Sequence, residues 1–122
     1  MKVLVCGGRD YFDAEHLYRK LNEIHKKAPI TELVEGGASG ADTLARYWAK
    51  HNKITVHTLK VDYAAGGSSA FAARDEKLFA DHSDIKVVLG FPTEARGSGI
   101  LMEKARELGY ETRDLVTDFM VG

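Results

Sequence analysis

At 122 residues the chain is long enough for one hydrophobic core and too short for two, so a single domain is expected. Its 44% hydrophobic and 29% charged residues are the proportions of an ordinary soluble globular protein. A formal net charge of −1 provides no overall basic field to hold a nucleic-acid backbone, and a lone cysteine, Cys6, excludes an intrachain disulfide framework. That single thiol suits a reducing compartment. The five apolar-leaning residues before Gly7-Gly8 are too few for a signal peptide or a membrane span, so a cytoplasmic protein without a membrane partner is expected.

Residues 2–6 (KVLVC) form a continuous apolar, largely β-branched run, the pattern of a strand buried on both faces of a parallel sheet. Gly7-Gly8-Arg9-Asp10-Tyr11 interrupts it. Asp13 is a candidate N-cap for a first helix over 13–27, in which Leu17, Leu21 and Ile24 recur at helical spacing and Pro29 stands just beyond the end. A second strand over 31–35 runs into Gly36-Gly37-Ala38-Ser39-Gly40, and a second helix over 40–51 carries Leu44, Ala45, Trp48 and Ala49 on one stripe. The third strand spans 54–60. After the polar stretch Gly66-Gly67-Ser68-Ser69 comes a third helix over 69–82, with Phe71, Leu78 and Phe79 turned inwards. A fourth strand over 85–90 (IKVVLG) leads into the loop Phe91–Gly99, and a fourth helix over 98–108 ends at Gly109 in the C′ position. A fifth strand over 111–116 precedes a short tail, 117–122. The β-α-β-α-β-α-β-α-β order predicts an α/β protein: an open parallel five-stranded sheet with helices on both faces, in three layers.

In such a sheet, ligands bind outside the carboxyl ends of the strands. The glycine-bearing loops all fall at those ends: Gly7-Gly8, then Gly36, Gly37 and Gly40, then Gly97 to Gly99. Each stands before a helix N-terminus, where backbone N–H groups and the helix dipole favour an anion. Together they predict a bound, phosphate-bearing small molecule. Arg9 either clamps a phosphate or forms a salt bridge to Asp10 or to a neighbouring helix end. Ser39 and Ser98 are caps or ligand donors. Asp42 either offsets the dipole of the second helix or reaches a ligand group such as a ribose hydroxyl.

Arg74 and Asp75, with Glu76 and Lys77, read as the charged face of the third helix. Trp48 and Phe71 are assigned to the core, whereas Tyr11 and Tyr63 fall in loops at the ligand rim, where a ring could stack on a base. His16, His25, His51, His57 and His82 show no metal-ligand spacing and are assigned to surfaces and helix ends. Cys6 has no histidine partner and is not expected to be a nucleophile. Neither G-x-x-x-x-G-K-[ST] nor G-x-G-x-x-G occurs, so an ordinary nucleotide triphosphatase or dehydrogenase is poorly supported, and no cofactor or metal is expected.

Gly7-Gly8-Arg9-Asp10-Tyr11, Gly36-Gly37-Ala38-Ser39-Gly40-Ala41-Asp42, Arg74-Asp75-Glu76-Lys77-Leu78 and the loop from Phe91-Pro92 to Arg96-Gly97-Ser98 together resemble the small YspA/YpsA-related branch of the SLOG superfamily. The resemblance runs through nearly the whole chain and implies a Rossmann-like fold. It implies a nucleotide or nucleotide-derived, ADP-ribose-like ligand, held by a sensor or sequestering protein of bacterial or phage conflict systems. The resemblance implies ligand contacts from Gly8, Arg9, Gly37 to Gly40, Asp42, Arg74, Gly97 and Ser98; with the loop reading, the candidate ligand set is Gly7, Gly8, Arg9, Asp10, Gly36, Gly37, Ser39, Gly40, Asp42, Arg74, Arg96, Gly97 and Ser98. Phosphoribohydrolase members carry Pro-Gly-Gly-x-Gly-Thr-x-x-Glu. Here Pro92 is followed by four further residues before Gly97-Ser98, and Leu101 stands at the glutamate position. Binding without hydrolysis is therefore the leading expectation. A nucleoside 5′-monophosphate N-glycosidase using Glu94 or Glu103 is the alternative, and a DNA-binding module ranks third on charge grounds. A homo-oligomer is expected, with the fourth helix and the tail Phe119-Met120-Val121 as the apolar contact.

Overall fold

The computed structural model describes residues 1–62, 64, 67–92 and 99–115, and of residues 67 and 68 the backbone alone. In chain order it contains β1 (Lys2–Gly7), α1 (Ala14–Lys27), β2 (Glu32–Glu35), α2 (Ala41–His51), β3 (Thr55–Thr58), α3 (Gly67–Asp81), β4 (Ile85–Phe91), α4 (Gly99–Glu107) and β5 (Glu111–Asp114). The five strands form one all-parallel sheet in the order β3-β2-β1-β4-β5. This is the predicted Rossmann-like α/β layout. Tyr63, Glu94, Arg96, Gly97, Ser98 and the tail lie outside the described residues.

The central strand explains the register. Val3 lies beside Leu33 on one flank and Val87 on the other, and Leu4 lies between Val34 and Val88. These six side chains are essentially removed from water, which is why the run 2–6 has no polar alternation. Successive residues point to opposite faces, so Val3, Val5, Leu33, Val87, Leu89 and Phe91 join Leu17 and Leu21 of α1 and Ala41, Ala45, Trp48 and Ala49 of α2. Leu4, Cys6, Val34 and Val88 point the other way, against Leu78 and Phe79 of α3 and Met102 and Ala105 of α4.

Local chemistry sets the helix ends. The Asp13 carboxylate accepts the His16 N–H at 3.1 Å and caps α1, as its sequence position predicts. Ala28, which precedes Pro29, is extended (φ −145°, ψ 105°) and closes the same helix. Gly109, at φ +87°, donates to the Arg106 carbonyl, and Tyr110 donates to the Ala105 carbonyl, a Schellman pair that ends α4.

In the core on the α1/α2 side, two assignments change. His16 is buried, not on the surface. Its Nδ1 accepts from Arg19 Nη2 at 3.2 Å, its Nε2–H donates to the Leu115 carbonyl at 3.3 Å, and its ring meets Phe91 edge-on. Tyr11 is also buried, with its ring 5.6 Å from that of Phe91, so it belongs to the core beneath the loop and offers no open face for a base. Trp48 is core as expected, and its indole N–H donates to Asn22 Oδ1 at 2.8 Å.

Candidate functional site

From β1 the chain builds outwards through β2 to β3, then returns to the other flank of β1 for β4 and β5. The strand order therefore reverses between β1 and β4, whose carboxyl ends meet where Gly7 pairs with Phe91. A crevice at this switch point is the place where open α/β sheets take ligands. A cavity of about 690 Å³ opens there, on the face of the sheet covered by α3 and α4. Its wall is made by Cys6 and Gly7 from β1, Arg9 after it, Gly36, Gly37, Ala38 and Asp42 around the β2–α2 loop, and Lys60 and Val61 after β3. Phe71, Ala72, Arg74 and Asp75 of α3 and Gly99, Ile100 and Leu101 of α4 complete it.

The β2–α2 loop is built differently from an anion cradle. The Gly36 and Ala38 N–H groups donate to Asp42 Oδ2 at 3.1 and 3.3 Å, and the Gly37 N–H donates to Glu35 Oε1 at 2.7 Å. Three consecutive amides are thus taken by the protein's own carboxylates. Glu35 is fully buried, and its Oε2 accepts from the Thr58 hydroxyl and lies 3.7 Å from Arg46 Nη1. The glycines serve this packing. Gly40 has φ +77°, and a Cβ there would stand 2.2 Å from the Gly8 carbonyl oxygen; at Gly36 it would stand 2.5 Å from Arg74 Nη1. Gly40, not Ser39, is the N-cap of α2, and the Ser39 hydroxyl donates instead to the Arg9 carbonyl at 2.9 Å. The β1 and β2 loops are tied to one another at this point, with the Ala41 N–H donating to the Gly8 carbonyl at 3.3 Å.

Asp42 does more than offset a helix dipole. It is 7% exposed and lines the cavity, with both of its loop hydrogen bonds on one oxygen. Burial pushes its pKa up to about 6, with the Glu35 charge acting in the same direction; the Ala38 and Gly36 amides and Arg74 pull it back. Cys6 sits nearby. Burial, followed by the carboxylates of Asp42, Asp114 and Asp75, drives its thiol pKa well up, which favours the protonated thiol over the nucleophilic thiolate.

Arg74 and Asp75 are not a solvated face. Arg74 Nε donates to Asp75 Oδ1 at 2.8 Å, while its Nη1 donates to the carbonyls of Gly36 at 3.2 Å and Leu59 at 3.1 Å. The guanidinium braces α3 against the loops that follow β2 and β3. Asp75 is buried, whereas Glu76 and Lys77 are exposed as expected. Phe71, assigned to the core, lines the cavity, and the Arg9 guanidinium carbon lies 5.6 Å from its ring centroid. Arg9 forms no ion pair with Asp10 among the described residues.

The cavity thus gathers Gly7, Arg9, Gly36, Gly37, Asp42 and Arg74 of the sequence-derived set. Gly8, Asp10, Ser39 and Gly40 are not in its wall, and Arg96, Gly97 and Ser98 lie outside the described residues. Sequence reasoning passed over Lys60, Phe71 and Asp75. Asp75 had a usable signal: it lies four residues after Phe71 and three and four before Leu78 and Phe79, a charge on the inward stripe of α3.

The family model for the YspA, cpYpsA-related SLOG family matches residues 1–66, more than half of the chain. The chain belongs to this SLOG family. The match contains β1, β2, the loop from Gly36 to Asp42 and Lys60, and it stops short of Phe71, Arg74, Asp75 and Leu101. More than half of the cavity wall of this SLOG protein is thus family sequence, and the wall from α3 and α4 lies beyond the match. Comparison with curated proteins and with solved structures returns no match. Among the described residues, no group of three or more His, Cys, Asp or Glu side chains is placed to hold a metal ion, and no helix is long and apolar enough to cross a membrane.

Proposed function

We propose that this SLOG-family protein binds a nucleotide or an ADP-ribose-like molecule in the cavity at the β1/β4 switch point and acts by holding it, as a sensor or a sequestering protein. The observation that carries this reading is the cavity itself. It has about 690 Å³ of room at the carboxyl ends of the parallel strands, with an aromatic wall at Phe71 and cationic side chains at Arg9 and Lys60. That volume suits a nucleotide-sized ligand, and the mixture of apolar wall and a few charged groups is that of a small-molecule site. Holding is favoured over conversion by Leu101. It occupies the position of the phosphoribohydrolase glutamate and lines the cavity with an apolar side chain, while Glu103 is exposed. Isothermal titration with nucleoside monophosphates, cyclic nucleotides and ADP-ribose tests the proposal. Saturable heat with at least one of them is expected, and no binding at millimolar concentration refutes it.

Asp42 favours a second reading, cleavage of the N-glycosidic bond of a nucleoside 5′-monophosphate. A carboxyl group with a pKa of about 6 facing a cavity is suited to proton transfer near neutral pH. Release of free adenine from AMP that disappears in Asp42→Asn supports it, and AMP left intact after long incubation with micromolar protein removes it.

A further inference from the structure

We propose, resting on the nucleotide-binding reading, that the cavity holds its ligand in one direction: ribose hydroxyls on the Asp42 carboxylate at the floor, phosphate at the rim between Arg9 and Lys60. The floor and the rim differ in sign. The floor presents two buried carboxylates, Asp42 and Asp75, to one guanidinium, Arg74. Three N–H donors of that guanidinium are already placed on Asp75, Gly36 and Leu59. An anion carried to this depth meets a net negative charge in a site of low dielectric, where like charges repel strongly. Arg9 and Lys60, by contrast, are exposed, and neither forms an ion pair among the described residues. A phosphate between them keeps partial hydration and gains two cations.

The floor asks for hydrogen-bond donors. Asp42 is more than nine-tenths buried, and the amides of Gly36 and Ala38 both hold Oδ2. Oδ1 accepts from no described residue, and its carboxylate faces the cavity. Two amides and the helix start fix the plane of the carboxylate, so this oxygen is an acceptor prepared in advance of the ligand. A ribose diol supplies donors at the right density, and a 2′-deoxyribose lacks one of them. A site that pairs a buried carboxylate with a substrate hydroxyl discriminates against the analogue that leaves the oxygen unpaired. The alternative donor is an exocyclic amine of the base, which a 2′-deoxy ligand retains.

The experiment compares AMP, ADP-ribose, their 2′-deoxy counterparts, inosine monophosphate and adenosine by isothermal titration at pH 7.5, on the wild-type chain and on Asp42→Asn. The 2′-deoxy ligands are expected to bind roughly 10- to 100-fold more weakly than their ribose partners. In Asp42→Asn the ratio should fall to within about threefold, and the affinity for adenosine should vary less with salt than that for AMP. Equal wild-type affinity for ribose and 2′-deoxyribose ligands overturns the orientation while leaving nucleotide binding standing. So does a preference for AMP over inosine monophosphate with no 2′-hydroxyl dependence. Absence of binding by every ligand overturns the nucleotide reading itself. The wild-type ligand pairs decide the matter without the Asp42→Asn chain.

Discussion

The two faces of the sheet share the same strands and are filled in different ways. Against α1 and α2 the inward residues are apolar from Val3 to Phe91, and α2 presents Ala41, Ala45 and Ala49, whose short side chains let the helix backbone lie close to the strands. Against α3 and α4 the apolar side chains gather around Leu4, Cys6, Val34, Val88, Leu78, Phe79 and Met102. Toward the carboxyl ends that face gives way to a cavity of about 690 Å³ with Arg74, Asp75 and Asp42 in its wall. The difference teaches where stability and ligand chemistry are placed. One face is filled by buried apolar side chains, and the other keeps room at the end where the strand order reverses.

The comparison can be broken most forcefully at the brace between α3 and the loops. Arg74→Ala removes the partner of buried Asp75 and two carbonyl contacts, and should destabilise the fold by about 3–5 kcal/mol in urea titration. A change of less than about 1 kcal/mol would mean that this end of the cavity face does not depend on the brace. Leu21→Ala opens a void on the filled face and should cost about 2–5 kcal/mol while leaving ligand affinity unaltered.

Asp42 gives a pH-dependent version. Its carboxyl pKa rises from 3.8 to about 6 on folding, so the protonated form is the one the fold favours. The contribution is therefore complete below pH 3.8 and is lost as pH rises through about 6. Asp42→Asn should match the wild type near pH 4 and exceed it at pH 8, by a margin on the order of 3 kcal/mol at most in thermal or urea unfolding. The opposite sign would place the carboxylate in a charge-stabilising environment. The smallest effect on the fold belongs to the rim: Lys60→Ala should change stability by less than about 0.5 kcal/mol, yet weaken and flatten the salt dependence of AMP binding.

Much of this contrast is legible without coordinates. Continuous apolar runs at 2–6 and 85–90 mark strands buried on both faces, and helical spacing of Leu17, Leu21 and Ile24 marks α1. Cap residues locate ends, as at Asp13 and Gly109, because capping is a contact between near neighbours in the chain. Tyr11 and His16 were misplaced for the opposite reason. Each is polar at its tip and lies near a loop, and the ring that meets both, Phe91, stands about 75 to 80 positions away in the chain.

By itself, then, the sequence determines the order of elements, the parallel sheet, the carboxyl-end location of the loops and the family signature around Gly36 to Asp42. Those features are periodic or local. What only the tertiary structure decides is the use of that stretch. Its amides fold back onto Glu35 and Asp42, Gly36 makes room for Arg74 from another helix, and Asp42 becomes a buried acid facing a cavity. A glycine-rich loop reads the same whether its N–H groups await a ligand or are held by carboxylates, because the choice rests on where side chains distant in sequence come to lie.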